Sequence, residues 1–235
     1  MYYNGSNAFA SLRQGLVGAW CPSLPSGGSG NTLPDQSGFN NHGSLVNMAA
    51  DDWVSGQYGR ALDFDGSNDF VSTTRASGIS SQSTVCVWVY PRDIATYQIV
   101  ISEDPIITAS LRNFVFGYGL TSGKLIAVDF RGSVADVYES AASLVANTWQ
   151  HISWTRRTTG MVFHVNGVQS GSTFSYTGAL NTNNVATRIG VRELGDGFTN
   201  ALVDDARIYN RALTEPEIKL LASKRGIGLR QESHR

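Results

Sequence analysis

Ala61-Leu62-Asp63-Phe64-Asp65-Gly66-Ser67-Asn68-Asp69-Phe70-Val71 is the stretch on which the reading of the fold turns. Apolar and polar residues alternate up to Asp65, the pattern of a strand with one face toward a core. Gly66-Ser67-Asn68-Asp69 then breaks the alternation with turn-forming residues, and Phe70-Val71 resumes the apolar run. The segment therefore reads as strand, tight turn at Gly66, strand.

The pattern continues outward in both directions. Upstream, residues 15–20 form a short apolar run, followed by a Gly/Ser/Pro-rich loop at 22–31 (PSLPSGGSGN). Downstream, residues 83–90 (STVCVWVY) put Val85, Val87 and Val89 on one side and Cys86, Trp88 and Tyr90 on the other. Both sides are apolar, so a central strand covered on both faces is expected. Further short β-rich runs fall at 114–118, 125–130, 134–138, 149–156, 161–165, 188–191 and 202–209. Asn166-Gly167 marks a hairpin, because both residues tolerate positive φ. Trp20, Trp88, Trp149 and Trp154 fall in these runs and are expected in the core. Many short strands separated by turns indicate a sandwich or barrel rather than βαβ units. One helix is expected near the end, where Thr214-Glu215-Pro216-Glu217 fits a capping box and Leu213, Ile218, Leu221 and Ala222 supply the apolar stripe.

Composition narrows the function classes. The 235 residues carry 18 basic and 19 acidic side chains, a net charge of −1, and are 41% hydrophobic. A disordered chain would be poorer in apolar residues, and a non-specific nucleic-acid binder would be strongly basic. No apolar run approaches the ~20 residues needed to cross a bilayer. Neither nucleic acid nor a membrane is therefore expected as partner. The first residues show no basic region followed by an apolar core, so no secretory signal is expected. Cys21 and Cys86 are too few for a disulfide scaffold and are expected as buried thiols rather than a bridge. Four scattered His with no CxxC or HExxH argue against zinc.

Five blocks in order then carry a resemblance. They are residues 15–20 (GLVGAW), 35–43 (DQSGFNNHG), 61–71 (ALDFDGSNDFV), Trp149-Gln150-His151-Ile152 with Val165-Asn166-Gly167, and 203–213 (VDDARIYNRAL) followed by Glu217-Ile218. Together they resemble the LamG-like (laminin G-like 3) domains of the concanavalin A-like lectin/glucanase family, phage-type stand-alone members included. The resemblance implies an all-β jelly-roll β-sandwich of two antiparallel sheets with one short C-terminal helix. It covers 12–222, leaving an N-terminal arm at 1–11 and a basic C-terminal tail at 223–235. The two sheets are expected to close through pairing of the early FDG segment with the late DDARIYNRAL segment.

The same resemblance implies a structural calcium joining an early loop to an aspartate of the final strand. The matching residues are Asp65, Gly66, Asp204 and Asp205. Consecutive aspartates on a strand need a cation or an arginine to balance them, and Arg207 and Arg211 supply the alternative, as fold residues. Jelly-roll lectins stack sugars on exposed aromatics, for which Trp53, Tyr58, Tyr97, Tyr118, Tyr138 and Tyr176 are the candidates. Glycosidases of this general fold carry an E-x-D-x-x-E run, which does not occur here. Glu103-Asp104 precedes Pro105 and reads as a turn. No GxSxG elbow or Gly-rich phosphate loop is present either. No catalytic residue is therefore assigned and no enzyme is expected. Two functions remain. One is a non-catalytic virion surface, decoration or attachment protein that binds glycan or other virion proteins and oligomerises through its arm or tail. The other is a free carbohydrate-binding lectin of bacterial origin. Packaging onto a virion reaches the outside without a signal; otherwise a cytoplasmic location is expected.

Overall fold

The computed structural model describes residues 11–24, 28–56, 59–105, 109–158, 160–176, 179–193, 195–223 and 226–229. In chain order the strands are β1 (Leu16–Trp20), β2 (Thr32–Leu33), β3 (Gly43–Val46), β4 (Trp53–Gly56), β5 (Gly59–Asp65), β6 (Phe70–Thr73), β7 (Ser83–Pro91), β8 (Gln98–Glu103), β9 (Phe114–Tyr118), β10 (Lys124–Arg131), β11 (Val134–Ser143), β12 (Gln150–Arg156), β13 (Gly160–Val165), β14 (Val168–Gln169), β15 (Phe174–Ser175), β16 (Arg188–Ile189) and β17 (Asn200–Tyr209), followed by helix α1 (Glu215–Leu221). They form two antiparallel sheets. The first runs β14-β13-β12-β7-β17-β5-β4, with β1 on β17 and β15 on β13; the second runs β11-β10-β9-β8-β16-β6-β3-β2.

The sheets stack through one apolar layer. Leu62, Phe64, Val85, Val87, Val89, Ile152, Trp154, Phe163, Val203 and Ile208 of the first sheet meet Val71, Val100, Phe114, Phe116, Leu125 and Ile189 of the second. The expected pairing of the early and late segments is present, but it lies within the first sheet rather than between the two, which meet by packing. Leu62, Asp63, Phe64 and Asp65 of β5 lie opposite Val203, Leu202, Ala201 and Asn200 of β17. Beyond them β17 bulges between Asp204 and Arg207, with Asp205 at φ +51°. Past the bulge β17 pairs with β1 instead, setting Ala206 opposite Trp20. The FDG turn is held locally. Gly66 sits at φ +80°, a region open to glycine without strain, and Asp65 Oδ1 accepts the Ser67 and Asn68 amides.

Two departures from the sequence reading are informative. The expectation missed β8, whose residues are all buried. Its pairing with β9 bulges between Ile99 and Ile101, and both of its faces are covered, so no alternation reveals it. Glu103 is consequently not a turn residue. It closes β8, fully buried, and accepts bonds from the Ser77 amide and hydroxyl, the Asn113 amide and the Thr187 hydroxyl. The second departure concerns β7. It is central, between β12 and β17, but only part of its outer face is covered.

That cover is α1. The Thr214 amide and hydroxyl both donate to Glu217 Oε2, closing the predicted N-terminal cap. Ile218 and Leu221 pack with Leu12, Leu16, Ala19, Cys21, Leu24, Cys86, Tyr209 and Leu213 on the outer side of the first sheet. Burying each such leucine contributes roughly 1.5–3 kcal/mol. Both cysteines are free and buried there, as expected. Arg211 ties the helix to the N-terminal segment. It pairs with Glu217 and donates to the carbonyls of Gln14 and Ser11. Arg207, fully buried, forms a two-pronged pair with Asp205.

Candidate functional site

The outer face of the first sheet is covered over Cys86 and open beyond it. The pleat fixes what stands in the open part, because alternate residues share a face. On β7 these are Trp88 and Tyr90, both half-buried. Strand register extends the row: Leu202 of β17 lies opposite both Tyr90 of β7 and Asp63 of β5. Gln150 lies opposite Val89, so Trp149 falls beside Tyr90, and their rings are 5.8 Å apart. Asp63, Leu202, Tyr90 and Trp149 thus form one row across four strand positions, about 14 Å at the usual spacing. All four are half-buried, with apolar and polar surface side by side.

The neighbouring groups are polar and oriented. Arg92, exposed at the end of β7, donates to Asp63 Oδ2 at 2.6 Å and to the Phe64 carbonyl at 3.3 Å. One guanidinium and one carboxylate therefore stand at the edge of an aromatic surface. His151 lies opposite Trp88, their rings edge to face at 5.6 Å. Burial holds its imidazole down to about 3, so the ring is neutral, and it lies buried rather than facing the site's solvent. Half-exposed aromatic faces flanked by hydrogen-bonding side chains are the groups that bind the apolar face and the hydroxyls of a sugar.

The predicted site residues fall elsewhere, and the structure brings only two of the aromatics together. Tyr138 of β11 and Tyr176, just past β15, are partly buried and pack against the core between the sheets. Beneath them Arg156 and Asp129 are fully buried, Nε to Oδ2 at 3.2 Å, and the Arg156 guanidinium lies 4.2 Å over the Tyr176 ring. Tyr138 packs against Phe174 at 5.5 Å, and Arg131 pairs with Asp136 alongside. Burial pushes the Asp129 carboxyl up to about 6, against the pull of Arg156 and Arg131. Tyr97 is half-buried on the outer face of the second sheet, against Ile99, Val115, Ile126, Val128 and Phe130. Trp53, at the β4 edge, donates its indole N–H to the Gly30 carbonyl and has Arg60 4.7 Å over its ring. Tyr118 corrects the expectation: it is fully buried in the core and donates its hydroxyl to Gln98 Oε1. Tyr58 lies outside the described residues.

The four residues matched to a calcium site do not converge. Asp65 stands opposite Asn200, whereas Asp204 is four residues further along β17, roughly 13 Å away. Asp204 accepts the Ser23 and Asp205 amides, and Asp205 is taken by Arg207. Among the described residues no three His, Cys, Asp or Glu side chains lie together to hold a metal. The donor set does not fit the implied ion.

Sequence reasoning missed Trp88 and Trp149 as surface groups. It took both as core, Trp88 because STVCVWVY is apolar on each side and Trp149 because it opens the β-rich run at 149–156. The alternation was correct, with Val85, Val87 and Val89 inside. What misled was the assumption that an apolar outer side must be covered along its whole length.

Comparison with known proteins agrees with this architecture. The family model described as the concanavalin A-like lectin/glucanases superfamily matches residues 65–219, from the FDG turn into α1. No curated protein matches the chain. Among solved structures, domain 4 of the GH43 extracellular arabinanase AbnA from Geobacillus stearothermophilus, in complex with arabinotriose, is similar at TM-score 0.67 and 19% identity, over 88% of this chain and 98% of that one. The binding domain of Paraclostridial Mosquitocidal Protein 1 is similar at TM-score 0.65 and 18% identity, over 90% of this chain and 52% of that one. The sialidase of Trypanosoma rangeli is similar at TM-score 0.59 and 14% identity, over 88% of this chain and 32% of that one. These likenesses establish the fold, on which both binding domains and enzymes are built. With two stacked antiparallel sheets, the FDG strand paired with the last strand, and a family match over residues 65–219, about two thirds of the chain, the chain belongs to the concanavalin A-like lectin/glucanases superfamily.

Proposed function

We propose that the chain is a non-catalytic glycan-binding module and that its sugar lies on the row Asp63–Leu202–Tyr90–Trp149. The observation that carries this reading is the pair of half-buried rings of Tyr90 and Trp149 beside the Arg92–Asp63 pair. The rings offer stacking surface, and the ion pair offers a donor and an acceptor for neighbouring hydroxyls. The arabinotriose complex of the similar arabinanase domain supports a saccharide as the ligand class. The non-catalytic reading is supported by the placement of the buried carboxylates. Asp129 faces Arg156, and Glu103 is engaged by four hydrogen-bond donors in a solvent-free strand end.

The module is proposed to act on a virion surface, as a decoration or attachment protein; the support is its resemblance to stand-alone phage-type members. The alternative is a free bacterial lectin with the same sugar site. A glycan array followed by titration calorimetry tests the site. Trp149→Ala and Tyr90→Ala are each expected to weaken binding at least tenfold, about 1.4 kcal/mol, while Tyr97→Ala leaves it unchanged. Binding that survives both ring deletions removes the site. Hydrolysis of any bound oligosaccharide removes the non-catalytic reading.

A further inference from the structure

We propose that the chain forms a two-fold dimer in which β11 of one copy pairs antiparallel with β11 of a second copy. The proposal does not depend on the glycan reading.

β11 is the terminal strand of the eight-stranded sheet, and its sequence VADVYESAAS has no Lys, Arg or Pro. Long edge strands without such residues offer a free backbone for pairing. The available stretch is its N-terminal part. Towards the other end, Ala142 donates its amide to Ser170 Oγ, and Gly171 lies against Ala141.

Register shows which groups are offered. Arg131 lies opposite Val134 across the two-residue turn Gly132-Ser133, so that pair is hydrogen-bonded, as are Asp129–Asp136 and Ala127–Tyr138. The intervening residues, Ala135, Val137 and Glu139, direct N–H and C=O away from β10. No described group bonds them. Their side chains lie on the outer face of the sheet, where Val137 is 55% exposed beside the Val128 position.

These three residues are self-complementary about one centre. With Val137 on the two-fold axis, it faces the partner's Val137, and Ala135 faces the partner's Glu139. On the opposite face Asp136 meets the partner's Tyr138. No carboxylate then stands opposite a carboxylate, which would be destabilising in a cross-strand pair. The two exposed valines bury each other beside the buried cluster of Ile126, Val128 and Phe130. A C₂ interface of this kind uses the same patch on both copies.

Sedimentation equilibrium of the full chain is expected to show a monomer–dimer equilibrium. Val137→Pro removes an amide that makes no bond to β10, and is expected to raise the dimer dissociation constant at least tenfold. Val168→Lys, at another exposed valine on β14 (65% exposed), leaves it unchanged. Amide exchange of the wild-type chain reads the same contact without a variant: the amides of Ala135, Val137 and Glu139 slow as concentration rises through the dimer range. A chain that stays monomeric, or a dimer in which those three amides exchange freely, overturns the proposal. So does a dimer that Val168→Lys dissolves as readily as Val137→Pro.

Discussion

Asp129 and Arg156 face each other between the sheets, shielded from water by Tyr138, Phe174 and Tyr176. Burial raises the aspartate to about 6, so the folded protein holds its proton more tightly than the unfolded chain does. This favours the fold below the ordinary value of 3.8 and is lost as pH rises through about 6. Above that pH both partners are charged, and removing one leaves the other buried alone. Asp129→Asn is therefore expected to cost roughly 3–5 kcal/mol at pH 7.5, and clearly less near pH 4, where the wild-type side chain is itself neutral. Urea unfolding at the two pH values measures the difference. An equal cost at both would show that Arg156 does not feel the aspartate's charge.

At the scale of elements, α1 decides how much of the first sheet meets water. The helix has only seven residues, too few to be stable by itself. It is held by the apolar layer beneath it and by Arg211, which joins Glu217 to the carbonyls of Gln14 and Ser11. Burial alone would raise the Glu217 carboxyl, but bonds from Arg211 and Thr214 hold it down to about 2. The folded value is depressed, so the contribution is present above the ordinary 4.5 and is lost as pH falls through about 2. Glu217→Gln is expected to speed amide exchange across 218–222 at pH 7. Unchanged protection there would mean that the apolar layer suffices without the ion pair.

For the whole molecule, the pairing of β5 with β17 inside the first sheet sets Asp65 and the Asp204–Asp205 pair at different levels of β17. Asp205 is already balanced by Arg207. The melting temperature is accordingly expected to be the same after EGTA treatment as after calcium is restored. A calcium-dependent rise in scanning calorimetry would require ligands other than these four residues. The stacking of the two sheets separates the aromatic row from the β11 edge. The aromatic row lies on the outer side of the first sheet, whereas β11 edges the second, so a β11-paired dimer presents two such rows.

The sequence by itself determined most of the strand-and-turn series, the FDG turn, the hairpin at Asn166-Gly167 and the cap of α1. All of these rest on local chemistry: two-residue periodicity, residues that tolerate positive φ, and a short-range cap. Only the tertiary structure decided which aromatics meet solvent. Tyr118 and Tyr90 both sit in β-rich apolar runs, yet one is sealed between sheets and the other stands half-open on an outer face. Periodicity assigns a residue to a side of a strand; it does not say what a distant segment lays over that side. Here α1, remote in sequence, covers Cys86 and leaves the Tyr90–Trp149 row open.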